Sequence, residues 1–342
     1  MLDPALPLAI YLEGALGLDI GKMGYGILRY SQNPIACVID SNHAGKTVTD
    51  VVESPRNAPV VASLEEAIQL GARAFVLGTA PPGGNIPDSW RPSISLAVAE
   101  GLSIVNGLHE ALAPQFPDLK PGQVIWDIRQ EPKGLAPGMG EARFLSNKRI
   151  LMVGSDMAVG KMTTGLEIQR VAKERGISAA FLATGQIGIT ISGAGVPLDA
   201  VRVDYASGAI ERETLKYRDS DWIIVEGQGS LVHPGSTATL PLLRGSMPTD
   251  LILCHRAGQT HLKRIQGIPI PPLPELIKLY EDLASVGGTF PAAKVKAIAV
   301  NSGHLNSDEA EYEIAQIRKI TGLPVCDPIR DSAQTLVDAL LT

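Results

Sequence analysis

Short apolar runs alternate along the whole chain with stretches of helical periodicity. In the first half, Leu8-Ala9-Ile10-Tyr11-Leu12, Ile35-Ala36-Cys37-Val38-Ile39-Asp40, Val60-Val61, Ala74-Phe75-Val76-Leu77-Gly78 and Ser103-Ile104-Val105-Asn106 predict strands. Helices are predicted over 22–30, 63–70, 92–101 and 108–112. Ser63 followed by Glu66 has the capping-box pattern. The second half restarts the alternation. Its strands are predicted at 149–154, 179–183, 200–204, 222–226, 250–254 and 295–301, with helices over 163–173, 207–216, 274–284 and 307–321. Ser307 and Ala310 do not complete a capping box, but Ser307-Asp308-Glu309 makes an acidic first turn suited to the helix dipole. Several of these strands are apolar on both faces, as buried parallel strands are. The fold class is therefore α/β, with a Rossmann-like parallel-sheet domain followed by a second parallel-sheet domain.

Between the halves, Pro114, Pro117, Pro121, Pro132 and Pro137 cluster with Gly122, Gly134, Gly138 and Gly140, interrupted by the apolar run Val124-Ile125-Trp126-Asp127-Ile128. This region reads as a linker and places domains at 1–145 and 146–342. The length of 342 residues agrees, since roughly 150 residues per domain gives two. Residues 177–198 carry no charge and are long enough to span a bilayer. Gly185, Gly188, Gly193, Gly195 and Pro197 interrupt them, so they read as a buried strand followed by a glycine-rich loop.

Composition narrows the function classes. Hydrophobic residues at 45% exclude disorder as a global description. A net charge of −6 offers no basic stripe for nucleic acid. Three scattered cysteines, Cys37, Cys254 and Cys326, without a CxxC pair, argue against a disulfide framework or a cysteine metal site and fit a reducing cytoplasm. Met1-Leu2-Asp3-Pro4 lacks the basic start of a secretory leader. The expectation is a cytoplasmic homo-oligomer acting on a small molecule, with no resident metal, nucleic acid or membrane.

The stretch that carries chemistry is Gly154-Ser155-Asp156-Met157-Ala158-Val159-Gly160-Lys161-Met162-Thr163-Thr164. It follows an apolar strand and opens a helix, the setting in which successive N–H groups and a helix N-terminus cradle phosphates. Gly154 and Gly160 allow the angles and close approach such a loop needs, and Lys161 supplies the charged contact. Two features depart from the usual phosphate loop: five residues separate the glycines, and Met162 stands where a hydroxyl would hold Mg²⁺. A thioether is a poor ligand for that hard ion. The loop thus suits pyrophosphate binding better than nucleotide cleavage.

Other polar residues fall at predicted strand ends, where ligands bind in open α/β sheets. They are Thr184-Gly185-Gln186, Asp204, Glu226-Gly227-Gln228-Gly229, His233, His255-Arg256 and Asn301. Glu226, His233 and His255 are the candidate bases. Serine-hydrolase and zincin motifs are absent.

The 154–161 loop, with Glu226-Gly227 and Asn301 at later strand ends, resembles the P-loop domain of dethiobiotin synthetase, whose pattern has Thr where this chain has Met162. A resemblance covering nearly the whole chain is to the DgcN-like family of D-glutamate N-acetyltransferases. It rests on Ala80-Pro81-Pro82-Gly83-Gly84, Pro87-x-x-Trp90-Arg91, Gly101-Leu102 and Gly107-Leu108-His109 in the first half. In the second half it rests on Gly160-Lys161-Met162-Thr163-Thr164, Glu226-Gly227-Gln228-Gly229-Ser230-Leu231-x-His233-Pro234 and Cys254-His255-Arg256.

This resemblance implies transfer of an acetyl group from acetyl-CoA to the amine of a D-amino acid, with the phosphate loop, joined by Asn301, holding the coenzyme's pyrophosphate. His233 or Glu226 would take the amine proton, with His255 a further candidate. N–H groups near 227–229 would face developing negative charge. Gln228, Arg91, Arg129 and Arg143 are the candidates for the substrate. The alternative is an ATP- and Mg²⁺-dependent ligase or kinase of the dethiobiotin-synthetase type, with Thr163 and Glu226 serving the metal. A third possibility is a sensor that binds CoA or a nucleotide without turnover.

Overall fold

The computed structural model describes residues 2–79, 81–265 and 267–342. Ala80, the first residue of a motif named above, lies outside the described residues. The chain divides into two compact units, one formed by the residues up to Glu131 together with Gly185–Ala200, the other by Pro132–Thr184 and Val201–Thr342.

The first unit contains β1 (Leu8–Tyr11), α1 (Lys22–Tyr30), β2 (Ile35–Ile39), β3 (Val60–Val61), α2 (Leu64–Gln69), β4 (Ala74–Leu77), α3 (Arg91–Glu100), β5 (Ser103–Asn106) and β6 (Ile125–Asp127). The strands form a parallel sheet in the order β3-β2-β1-β4-β5-β6. β1, β4 and β5 are buried along their whole length, as expected for strands covered on both faces. On one face the Tyr11 ring sits 5.2 Å from both Phe75 and Trp90, edge-on to the indole.

The second unit begins with β7 (Lys148–Gly154), α4 (Lys161–Glu174) and β8 (Ala179–Leu182). The chain then contributes α5 (Gln186–Ser192) to the first unit, where it packs on α1. It continues through α6 (Val203–Lys216), β9 (Trp222–Val225), α7 (Thr239–Ser246), β10 (Asp250–Arg256), α8 (Leu273–Ser285), β11 (Lys294–Asn301), α9 (Ser307–Thr321), β12 (Val325–Cys326) and α10 (Gln334–Leu341). This sheet is also parallel, in the order β12-β11-β10-β7-β9-β8. β7 is central, so the loop leaving its carboxyl end is flanked by the ends of β10 and β9.

Several local expectations change. No helix forms over 108–112. Side chains satisfy the backbone there: Asn106 Oδ1 accepts from Leu108 N, and the Asp127 carboxylate accepts from Leu112 N and Ala113 N. The apolar run inside the expected linker is β6, an edge strand of the first sheet. Residues 132–147 are not a free connection either. The Glu211 carboxylate on α6 accepts from Met139 N and Glu141 N, and Arg212 donates to Lys133 O. A single boundary near 145 therefore falls inside the second unit.

No strand forms over 200–204: Ala200 ends a 3-10 turn and α6 begins at Val203, whose side chain is 75% exposed and has no buried strand face to fill. The glycine-rich loop expected after β8 holds α5, which Gly193 ends in the left-handed region. At α9 the capping box forms one residue earlier, between Asn306 and Glu309. Ser63 does accept from Glu66 N, but the Glu66 carboxylate reaches Ala62 N instead of completing a box.

Candidate functional site

The loop from Ser155 to Gly160 joins β7 to the fourteen-residue helix α4. Gly160, the residue before the helix, has φ +104°, a conformation that favours glycine. Gly154 contributes space, since a Cβ there would lie 2.8 Å from Lys161 Nζ. The helix start therefore presents its unpaired N–H groups beside the lysine, the arrangement that holds an anion.

The loop is braced from several sides. Ser155 N donates to Cys254 O at 3.0 Å, and Ser155 Oγ lies 2.8 Å from His255 Nδ1. Tyr280 Oη, fully buried on α8, donates to Gly154 O at 2.7 Å and accepts from Leu231 N. The buried Asp156 carboxylate accepts from Met157 N, from Gln259 Nε2 at 2.6 Å and from Lys263 N at 2.9 Å. Asp156 thus ties the loop to the segment following β10. Of these bracing residues, Cys254 stands in the Cys254-His255-Arg256 run, whereas Tyr280 and Gln259 belong to no motif of the sequence.

Lys161 is buried and donates from Nζ to Asp156 O at 2.9 Å. Burial lowers its pKa to about 8, partly offset by the carboxylates of Asp156 and Glu226. Cys254 is buried among the same groups. Its thiol, pushed up to about 11 by burial, stays protonated and donates to Thr164 Oγ1 at 3.5 Å. Burial likewise pushes the His255 imidazole down to about 4, so it is neutral at ordinary pH. Val159 is buried, whereas Met162 and Thr163 are partly exposed on the first turn of α4.

Glu226 follows β9 and is buried. Its Oε2 accepts from Thr184 N at 2.7 Å, and its carbonyl accepts from Thr184 Oγ1. The next residue must be glycine: a Cβ on Gly227 would sit 1.7 Å from Met152 O and 2.8 Å from Lys161 Cδ. Gln228 lends its carbonyl to Thr239 Oγ1. Buried His233 accepts from Gly235 N at Nδ1, which leaves the proton of the neutral ring on Nε2. Asn301 ends β11 in register with Arg256, its amide 3.9 Å from the position of a Cβ on Gly160. The second sheet therefore brings together the loop, Lys161, Glu226, His255 and Asn301.

Other expected residues sit elsewhere. Asp204 lies in the first turn of α6, away from any strand end. In the first unit, Arg91 pairs with Asp88 and Glu110 near the surface. Arg129 pairs with Asp199 at 2.8 Å, and His109 lies 3.9 Å from the same carboxylate. Arg143 donates to Met139 O and Gly140 O beside the exposed Phe144 ring. No group of three or more His, Cys, Asp or Glu side chains placed to hold a metal occurs among the described residues. No helix among them is long and apolar enough to cross a membrane.

Comparison with known proteins fits this architecture. Residues 136–337 match a family profile described as a domain of unknown function, the DUF1611 C-terminal P-loop domain. Residues 41–131 match the DUF1611 N-terminal Rossmann-like domain. A protein from a Pseudoalteromonas species named D-glutamate N-acetyltransferase is 38% identical over 281 residues, 80% of this chain and 83% of that one. A protein of the same name from Tritonibacter scottomollicae is 39% identical over 284 residues, 81% and 84% of the two chains. The crystal structure of a DUF1611 family protein from Anabaena variabilis superposes with a TM-score of 0.95 at 48% identity, covering 98% of this chain and 99% of that one. The chain belongs to the DUF1611 family, with that family's Rossmann-like N-terminal and P-loop C-terminal domains.

Proposed function

We propose that this protein transfers an acetyl group from acetyl-CoA to the amine of D-glutamate. The observation that carries the reading is the similarity, over about four-fifths of the chain, to two proteins named D-glutamate N-acetyltransferase. The loop geometry supports it. An anion cradle with a buried lysine, and with Met162 where a Mg²⁺-binding hydroxyl would stand, suits a phosphate-bearing carrier that is held without phosphoryl cleavage.

In this reading the N–H groups of the loop and the Lys161 ammonium hold the pyrophosphate, with Asn301 at the edge of the cradle. Acetyl-CoA supplies an activated thioester acyl group when bound. Glu226, kept in place by Thr184 N–H, accepts the proton of the substrate ammonium so that the amine becomes nucleophilic. His233 presents its Nε2–H as a donor, and the main chain around Gly227 to Gly229 faces developing negative charge. His255 acts through Ser155, holding the loop's shape. Gln228, Arg91, Arg129 and Arg143 remain the candidates for the substrate's polar groups, each arginine requiring release of its present partner.

The test is CoA release with acetyl-CoA and a panel of D- and L-amino acids, with acetylated product identified by mass. Turnover with D-glutamate is the expected result. Mg²⁺-dependent ADP formation from ATP, with no CoA released, would replace this reading by the ligase alternative.

A further inference from the structure

Gly84 and His109, from two separate sequence motifs of the first unit, meet past the carboxyl ends of β4 and β5, where open α/β sheets bind ligands. His109 N donates to Gly84 O at 2.9 Å. A Cβ on Gly84 would sit 2.4 Å from His109 Cδ2, so the glycine lets the imidazole close onto the main chain. Arg129 leaves the end of β6, the next strand of the same sheet. Its Nη2 lies 2.8 Å from Asp199 Oδ2, and His109 Nε2 lies 3.9 Å from the same oxygen. All four residues belong to the first unit.

The ion pair is uneven. The Arg129 side chain is 15% exposed, whereas Asp199 and His109 are nearly half-exposed. The sheet fixes the cation, and the outer partner is a carboxylate on the short 3-10 turn Leu198–Ala200. The pair is also incomplete. In a guanidinium, Nε–H and one Nη2–H lie along one edge, the fork that a carboxylate grips with both oxygens. Asp199 is held by Nη2, while Arg129 Nε is buried and has no hydrogen-bond partner. Asp127, two residues earlier, is engaged with Leu112 N and Ala113 N. In Arg91, by contrast, Nε is paired with Asp88 and Nη2 with Glu110. A buried donor left unpaired is destabilising, so the Arg129 fork favours any carboxylate that reaches both prongs.

We propose that Arg129 and His109 recognise a carboxylate of the acceptor amino acid, and that Asp199 fills this place in the free protein until the ligand displaces it. This rests on D-glutamate being the acceptor, and it singles out Arg129 among the arginines. The ligand carboxylate grips Nε and Nη2 together, with the imidazole beside it. Asp199, half-exposed and held by one prong, gives way. It is then a built-in competitor that lowers apparent affinity by the fraction of molecules in which it occupies the fork.

The experiment is calorimetric titration of the full chain, saturated with CoA, with D-glutamate and D-glutamine, alongside KM and kcat for acetyl transfer. Arg129→Gln should weaken D-glutamate ~10–100-fold and raise KM with little change in kcat. Arg129→Lys keeps the charge without the fork and should recover only part of the loss. Asp199→Asn should bind D-glutamate ~2–5-fold more tightly than wild type, the range of a partly exposed ion pair. A purely structural ion pair would give no such gain. D-Glutamine locates the carboxylate: if Arg129→Gln abolishes the preference for D-glutamate over D-glutamine, Arg129 reads the side-chain carboxylate, and equal weakening of both assigns the α-carboxylate. Thermal melting separates misfolding from lost contact. Undiminished D-glutamate affinity in Arg129→Gln, or affinity in Asp199→Asn no greater than wild type, would overturn the inference while wild-type acetyl transfer leaves the acceptor intact. Neither binding of D-glutamate nor transfer to it by wild type would overturn the acceptor itself.

Discussion

The Lys161 ammonium donates a 2.9 Å hydrogen bond to the main-chain oxygen of Asp156, inside the loop it serves. The bond closes the loop on itself and holds the lysine where an anion would meet it. Anion binding then exchanges a neutral carbonyl acceptor for a charged one, at little cost in side-chain ordering.

Because burial lowers Lys161 to about 8, its charge is lost within an accessible pH range. Below pH 8 the ammonium is present and acetyl-CoA affinity should be flat. Above it the affinity should fall as the proton is lost, up to tenfold per pH unit. Lys161→Arg should remove this dependence, since a guanidinium stays charged. Lys161→Ala should weaken binding at pH 7 by ~10–100-fold. Titrations from pH 6.5 to 9.5 check all three.

His255 is predicted to govern acid stability. Its folded pKa, about 4, lies below the ordinary 6.5 of an exposed imidazole, and burial is the cause. Between those values the unfolded state binds more protons, so stability rises with pH across the window. Acidification from pH 6.5 to 4 should therefore cost about 3 kcal/mol from this residue. His255→Asn should flatten that part of the curve in urea unfolding followed against pH.

Gly227→Ala should be among the most damaging single-methyl additions. The Cβ would lie 1.7 Å from Met152 O, a backbone atom of the central strand. Separating β9 from β7 enough to admit it should cost ~3 kcal/mol or more. A lowered urea midpoint measures the loss, and Gly258→Ala is a comparison site with nothing within 4 Å of the added carbon, strained only by its φ of +68°.

Glu211→Ala should free the 132–147 segment. Two backbone N–H groups, those of Met139 and Glu141, lose their acceptor. The expected outcome is a destabilisation of ~1–3 kcal/mol, with new proteolytic cleavage confined to that segment. Protection equal to wild type would show that other contacts hold it.

Both sheets were legible because their central strands are apolar on both faces and are bounded by turn residues. The phosphate loop was legible because glycine, lysine and a following helix occur in one short stretch. Failures came where side chains or distant segments supplied what local pattern does not show. Asp127 and Asn106 satisfy the backbone over 108–113, so a helix-like composition yields none. The return of 185–200 to the first unit depends on tertiary packing, which periodicity does not record. The candidate bases were found by residue type, but their geometry was not. His233 spends its Nδ1 lone pair on Gly235 N, and that is visible only once the turn is built.

The most direct measurement of the central claim is single-turnover acetyl transfer from isotopically labelled acetyl-CoA to D-glutamate, comparing wild type with Lys161→Ala and Glu226→Gln. The account predicts labelled N-acetyl-D-glutamate from wild type. It predicts weakened acetyl-CoA binding in Lys161→Ala, and intact binding but ~100-fold slower transfer in Glu226→Gln. Absence of labelled product from wild type, or transfer by both variants at the wild-type rate, would contradict it.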